Sequence, residues 1–377
     1  MLTLTDMKDV ERLPIKSAHK AFEAYHNWSR YMEELLARKI DQVRNNEIVE
    51  GMDVMGSLTR IAYEPELNLS NRSAKRIPSD VVISDSHILG NAFVMILAGH
   101  ETTANSILIS LLELAINPGP QRQAQDEIQA VFGDDPPEKW NYDSSIDKLL
   151  GGMLGAILSE QLRLMPPSVT IPKTVLQDQD IIIDGRKVTF PAGTQLNLVA
   201  FGAHRNSRYW PTQPSTISNR PDDLDDFKPE RWLIKQIVKD ESPTESKIEP
   251  SEDNDLIREG AKKSHSKQFR PVPGSYFPFS EGARSCLGRR LAQVEIMAVL
   301  AVIFQRYSIE LAVDEWASDE DVEAMSMEEK KSLYEIAQKK ARQTIRTATS
   351  IITLRLHSSS VPFRLVTKGQ ERFIKSF

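Results

Sequence analysis

One cysteine, Cys286, occurs in this chain, and its neighbours are unlike those of an ordinary buried thiol. It sits in "FPFSEGARSCLGRR", with Gly282, Arg284 and Gly288 framing it and Phe279 ahead of it. A lone cysteine is usually a small buried hydrophobe. Here the two glycines permit a tight loop and close approach by a flat ligand. Arg284 supplies a cation two residues from the sulfur. After the cysteine, Leu291, Val294, Met297, Ala298 and Ala301 recur at helical spacing, so a helix is predicted. Its N-terminal amides and dipole would favour a thiolate. Phe279 would cover the sulfur on one side. These residues suit a thiolate ligand to a large metal cofactor.

Two further groupings could do chemistry or support it. In "AGHETT", the hydroxyl of Thr102 stands beside the carboxylate of Glu101, and an acid–alcohol pair can relay protons. The competing reading is a helical threonine bonded back to a carbonyl. Glu160 and Arg163 lie at i,i+3, on one helical face, where they can pair. Their setting, "EQLRLMPP", is apolar. His100 and His204 have no second ligand at helical spacing, so neither is taken as a metal site.

The elements that must position these residues follow from periodicity. Phe22, Tyr25, Trp28, Tyr31, Met32, Leu35 and Leu36 predict an amphipathic helix over 18–46. Residues 64–82 read as a loop. A long helix is expected from Ser84 or Asp85, the N-cap, to Asn117, where Pro118, Gly119 and Pro120 stop it. At 1.5 Å per residue it is about 48 Å long. Its middle is apolar almost all round and is expected to cross the interior. Helices are predicted over 121–132 and about 144–164. Hairpin signals then appear at Asp184-Gly185 and at Pro191-Ala192-Gly193, and 350–366 reads as another hairpin. The stretch 234–270 is charged and rich in Ser, Glu and Lys, and reads as a flexible insertion. The fold class is mainly α with small β-sheets (α+β), in a single domain over 1–377. No internal repeat is evident.

Bulk properties exclude several classes. The net charge of −6 gives no basic patch for nucleic acid. One cysteine excludes a disulfide framework and a Cys-rich zinc site. "MLTLTDMKDVERLPIK" is no signal peptide. No uninterrupted apolar run reaches the roughly 18 residues that cross a bilayer; the nearest, Ala92 to Gly99, stops at His100. No membrane span is therefore expected.

The run Phe279-x-x-Gly282-x-Arg284-x-Cys286-x-Gly288 matches, position by position, the haem-binding signature of the cytochrome P-450 family, which the chain resembles from about residue 20 to about 368. The resemblance implies that fold, including its long central helix and haem-binding loop. It implies haem b (iron protoporphyrin IX), with Cys286 as metal ligand, Arg284 against a propionate, and Phe279, Gly282 and Gly288 shaping the loop. "AGHETT" resembles the oxygen-activating motif: Gly99 removes a side chain facing the haem, and Glu101 with Thr102 delivers protons. "EQLR" resembles the family's Glu-x-x-Arg helix, and "FKPERW" places Arg231 against Glu160 and Arg163 as a structural ion trio. Lys173, in "SVTIPKTV", is a candidate for a propionate. Val169, Thr170, Ile171 and the tip His357 to Val361 would touch substrate.

The function implied is a haem-thiolate monooxygenase using O₂, a small lipophilic substrate and electrons from an NADPH-cytochrome reductase, in secondary metabolism of a filamentous-fungal style. An O₂-independent isomerase or dehydratase is the alternative that the Glu101–Thr102 pair disfavours. Only about 80 residues precede the oxygen helix, fewer than in a full member. The chain is thus expected to be N-terminally truncated, with an inactive product that cannot hold haem as a further reading. The family's eukaryotic members sit at the endoplasmic reticulum membrane; without an anchor, a cytoplasmic location is the alternative.

Overall fold

A computed structural model describes residues 14–45, 47, 54–63, 83–233, 269–350, 353–356 and 359–373. The chain divides into two units, Met1–Gly99 and His100–Phe377.

In the first unit, α1 (Lys16–Arg44) and α2 (Val54–Tyr63) pack on the start of α3 (Asp85–Ile116). The apolar stripe of α1 buries Met32 and Leu36 against Met55 of α2 and Ile88 and Ala92 of α3. The Trp28 ring meets Phe93 edge-on at 4.7 Å. Ser84 caps α3, its Oγ accepting the His87 N–H at 3.4 Å.

The helix α3 continues unbroken into the second unit. Asn117 ends it by folding back, its Nδ2 donating to the Glu113 carbonyl at 2.8 Å. One expectation fails here. The middle of α3 is not buried: Val94, Ile96 and Leu97 are exposed, and burial, interrupted after Ala92, resumes at Thr103. Apolar composition marks a helix able to be covered, whereas contacts decide where it is. By length and composition α3 is also apolar enough to cross a membrane. Counting only uninterrupted apolar residues does not find this, because His100 and Glu101 break the run. Leu112, Leu114, Ala115 and Ile116 are core residues, which ties that half of the helix to the protein body.

The second unit is a helical core with small sheets at its margins. Helix α4 (Pro118–Phe132) begins three residues earlier than expected, since proline is tolerated in a first turn. The segment expected as one helix over 144–164 is two, α5 (Tyr142–Gly151) and α6 (Met153–Leu164), hinged at Gly152. The corner requires glycine: a Cβ on Gly155 would run into the Leu150 carbonyl. Strands β1 (Thr170–Thr174), β2 (Gln179–Ile183), β3 (Arg186–Phe190) and β4 (Gln195–Val199) follow. β2 and β3 form the expected hairpin, with Asp184 (φ 46°) and Gly185 (φ 77°) both left-handed. The turn at 191–193 does not make a second hairpin. It returns β4 to pair with β1, from Thr170 opposite Val199 to Thr174 opposite Gln195.

A short helix α7 (Ala200–Ala203) and a 3₁₀ turn, Pro229–Trp232, precede α8 (Arg289–Arg306). β5 (Tyr307–Leu311), α9 (Asp319–Ala324) and α10 (Met327–Ile345) complete the core. β6 (Thr349–Ser350) pairs with β7 (Leu354–Arg355), and β8 (Phe363–Thr367) pairs with β5. The stretch 350–366 is therefore not one hairpin; its second half has a partner far back in the chain. The free edge of β5 is capped by a side chain. Gln121 donates to the Ile309 carbonyl at 2.9 Å and accepts the Ile309 N–H at 2.8 Å, standing in for a third strand.

Apart from Phe269 and Arg270, the stretch 234–270 lies outside the described residues, as do 64–82 and His357. The residues bounding 234–268 meet: the Phe269 N–H donates to the Trp232 carbonyl at 2.7 Å.

Candidate functional site

The site is founded on a carboxylate with no access to water. Helix α6 is buried along nearly its whole length, and Glu160 and Arg163 are both fully buried. Such a charge is tolerable only when every lone pair is used. Arg163 grips it with two prongs, Nε to Oε2 at 2.7 Å and Nη2 to Oε1 at 2.8 Å. Arg231 Nε reaches Oε1 at 3.3 Å, Trp232 Nε1 reaches Oε2 at 2.9 Å, and the Lys228 N–H reaches Oε1 at 3.0 Å. Burial acts to raise the Glu160 pKa, but the two guanidinium groups and the indole hold it below the ordinary carboxylate value. Glu160, Arg163 and Arg231 thus come together as the motifs implied.

A second buried carboxylate, Asp223, completes the cluster. It takes Arg231 at 3.3 Å and Lys228 Nζ at 3.0 Å. Nothing in "RPDDLDDFKPERW" distinguishes Asp223 from its acidic neighbours, so sequence reasoning missed it. The remaining guanidinium protons of Arg163 go to the carbonyls of His204, Leu224 and Asp226. The cluster therefore staples together α6, the end of α7 and the 3₁₀ turn.

His204, set aside as a metal ligand, is fully buried within this framework. Its Nδ1 lies 3.3 Å from the Arg163 carbonyl and its Nε2 accepts the Phe277 N–H at 3.0 Å. Burial lowers its pKa to about 4, so the ring is neutral. Tyr276 adds a tie, its hydroxyl donating to the Ser159 carbonyl at 3.2 Å.

The cysteine loop grows from these anchors. Ser280 (φ 60°) and Gly282 (φ 79°) are left-handed, which turns the chain back so that the Cys286 N–H donates to the Phe279 carbonyl at 2.8 Å. Cys286 is exposed, one turn before α8, and Leu287 beside it is 89% exposed. No atom lies within 4 Å of where a Cβ would stand on Gly282 or Gly288. The loop thus presents an exposed cysteine on a surface with open space over Gly282 and Gly288, which fits the close face of a flat macrocycle. Arg284 is exposed nearby. Phe279 is half-buried against the core, with the Arg289 guanidinium 5.5 Å from its ring centre. The buried stripe of α8 is Ile296, Met297, Leu300, Ala301 and Phe304, with Leu291 and Ala298 exposed, so the expected apolar face is rotated.

On α3, Glu101 is half-exposed and accepts Arg355 Nη1 at 3.2 Å, a partner not foreseen. Asn105 Nδ2 donates to Thr353 Oγ1 at 3.4 Å, and the Leu354 N–H donates to the Pro167 carbonyl at 2.8 Å. The segment 353–355 thereby joins the acid–alcohol stretch to the proline turn after α6. Thr102 follows Glu101, its carbonyl taking the Ser106 hydroxyl at 3.0 Å. Gly99 closes the first unit, with open space around its missing Cβ. Lys173 is half-buried in β1, opposite Leu196 of β4.

The chain as a whole is similar to known proteins. The family model described as cytochrome P450 matches residues 3–336. A cytochrome P450 monooxygenase of Arthrobotrys oligospora is 29% identical over 304 residues, covering 79% of this chain and 48% of its own length. One of Penicillium roqueforti is 26% identical over 319 residues, covering 82% and 48%. Mouse cytochrome P450 3A13 is 25% identical over 245 residues, covering 65% and 39%. A crystal structure of a cytochrome P450, CYP102L1, superposes on 94% of this chain and 59% of its own with a TM-score of 0.56 at 20% identity, a likeness of fold. The chain spans about half the length of the fungal relatives.

Proposed function

Because the chain belongs to the cytochrome P450 family, we propose that it carries the haem-binding and oxygen-activating half of a monooxygenase. Cys286 would hold haem b through its thiolate. Arg284 and Lys173 are the candidate cations for its propionates. When bound, haem supplies the oxygen chemistry, with the cysteine thiolate pushing electron density onto iron. The chain's own residues hold the sulfur, keep its loop in shape and move protons.

The observation that carries the reading is the complete loop motif folded as one unit. Cys286 is exposed, its backbone N–H is tied to Phe279, and the loop's root is tied through His204 to Arg163 of the buried Glu160–Arg163–Arg231 cluster. The cluster touches no reacting atom; it fixes the loop. Glu101, half-exposed and oriented by Arg355, takes protons from water. The Thr102 hydroxyl next to it passes them inward. This pair favours oxygen insertion over an isomerisation needing no protons. The substrate is a small lipophilic molecule of secondary metabolism. The electron donor is an NADPH-cytochrome reductase at the endoplasmic reticulum membrane.

The test is a spectrum. The purified chain, reconstituted with hemin, reduced and exposed to carbon monoxide, is expected to give the Soret band of a thiolate ligand. Cys286→Ala should abolish it. A colourless product, or a band of nitrogen ligation in the unsubstituted chain, overturns the proposal.

A further inference from the structure

We infer that His204 is the positioning residue that fastens the root of the cysteine loop to the buried ion cluster. The inference rests on the reading of Cys286 as the iron ligand, but the geometry stands by itself. Phe277 opens the loop segment, and its N–H can only donate; it reaches His204 Nε2 at 3.0 Å. That nitrogen must therefore be bare. Nδ1 then carries the ring proton and donates to the Arg163 carbonyl at 3.3 Å. The link is reciprocal, since Arg163 Nη1 donates to the His204 carbonyl at 3.2 Å. One imidazole thus spans two segments that share no sequence neighbourhood: the residue that grips Glu160 and the strand of loop that ends at Cys286.

A side chain that merely filled space would not need both nitrogens. His204 is fully buried between Tyr276 (5.1 Å between ring centres) and Phe277 (5.3 Å, edge-on). Phenylalanine would keep those ring contacts without either ring nitrogen. It would leave the Phe277 N–H and the Arg163 carbonyl without partners, and the loop root would be free to shift. Glutamine offers a carbonyl oxygen near the place of Nε2 and so keeps the acceptor. Because the sulfur's own backbone bond is made to Phe279, two residues further on, a shift at Phe277 reaches the ligand within one turn of chain.

The experiment is amide hydrogen exchange on the full chain without haem, resolved at Phe277, for the parent, His204→Phe and His204→Gln. His204→Phe should speed exchange at Phe277 about tenfold, the size expected for one neutral hydrogen bond. The Ile309 amide, held by Gln121, should be unchanged. His204→Gln should restore most of the protection. In haem-loaded protein, His204→Phe should lower the thiolate-type share of the reduced carbon monoxide spectrum, and His204→Gln should recover it. Equal exchange at Phe277 in parent and His204→Phe, or identical behaviour of the two variants, overturns the inference. Should His204→Phe not fold, the ¹⁵N shifts of His204 in the parent decide. A protonated Nδ1 with a bare Nε2 at neutral pH supports the strap; the opposite tautomer or an imidazolium refutes it. Exchange and tautomer need no haem, so they remain readable if the haem assignment fails. A chain that binds haem normally but shows no effect at Phe277 refutes the strap alone.

Discussion

Replacing Arg163 by leucine should cost clearly more than the same change at Arg231, although both arginines touch one carboxylate. Arg163→Leu removes the two shortest bonds to Glu160, 2.7 and 2.8 Å, and strips donors from three carbonyls. It leaves a fully buried carboxylate with a guanidinium at 3.3 Å, an indole and one amide. Breaking a buried pair in this way costs about 3–5 kcal/mol. Arg231→Leu removes only the 3.3 Å contact from Glu160. It also strips donors from the Pro211 and Asp223 carbonyls and a guanidinium from Asp223, which keeps Lys228 Nζ at 3.0 Å and the Gln213 N–H at 3.3 Å. Its cost should be about 2–3 kcal/mol, below that of Arg163→Leu, because both carboxylates keep a cationic partner. The two buried charges are coupled, so Arg163→Leu made on a Glu160→Leu background should cost less than on the parent, by roughly 2 kcal/mol. Urea midpoints read by tryptophan emission are the assay, since the Trp210 and Trp232 rings meet at 5.5 Å beside Arg163. Equal costs for the two arginines, or additivity in the double variant, would refute the claim that Glu160 is held mainly by Arg163. The pH sign follows from the lowered Glu160 pKa. The stabilisation is present above the ordinary carboxylate value and is lost as pH falls through the folded one.

Glu113 should behave in the opposite sense: burial raises its pKa from 4.5 to about 7, so the folded chain keeps a proton that the unfolded chain releases. Its contribution is present below 4.5 and lost as pH rises to 7, so Glu113→Gln should stabilise at pH 8 by up to about 3 kcal/mol and do nothing at pH 4 in thermal melts. Gln121→Leu strands both the N–H and the carbonyl of Ile309, and a loss of about 2–4 kcal/mol in a urea titration is expected. Because Phe269 and Trp232 are bonded to each other, exchanging 235–267 for a short Gly-Ser linker should change stability by no more than about 1 kcal/mol; collapse of the fold would show that the stretch is integral rather than inserted.

The loop motif and the trio were readable because their chemistry demands fixed residues at fixed spacing: a sulfur between glycines, and a carboxylate one helical turn from a guanidinium. The main helix ends were readable for local reasons, a serine cap at 84 and prolines after 117. What the chain did not disclose depends on residues distant in sequence. Asp223 is one aspartate among several, and only the fold selects it. His204 looked inert because its partners, Arg163 and Phe277, lie far to either side of it. Arg355 reaches Glu101 across the whole length between them. The partner of the last strand was misjudged for the same reason: alternation shows that a segment is extended, and says nothing about which other strand receives it.

The pairing of β5 with β8 has a consequence for how the molecule is made. β5 follows directly on α8, the helix that begins just past Cys286, and its strand partner arrives only at Phe363–Thr367. Phe373 then stacks on Tyr334 and donates its N–H to Glu310 at 2.7 Å. On a ribosome, this lock cannot close until residues 363–373 have cleared the exit tunnel. A nonsense codon just before Phe363 would spare every motif residue named above, yet leave the cysteine helix without its fastening.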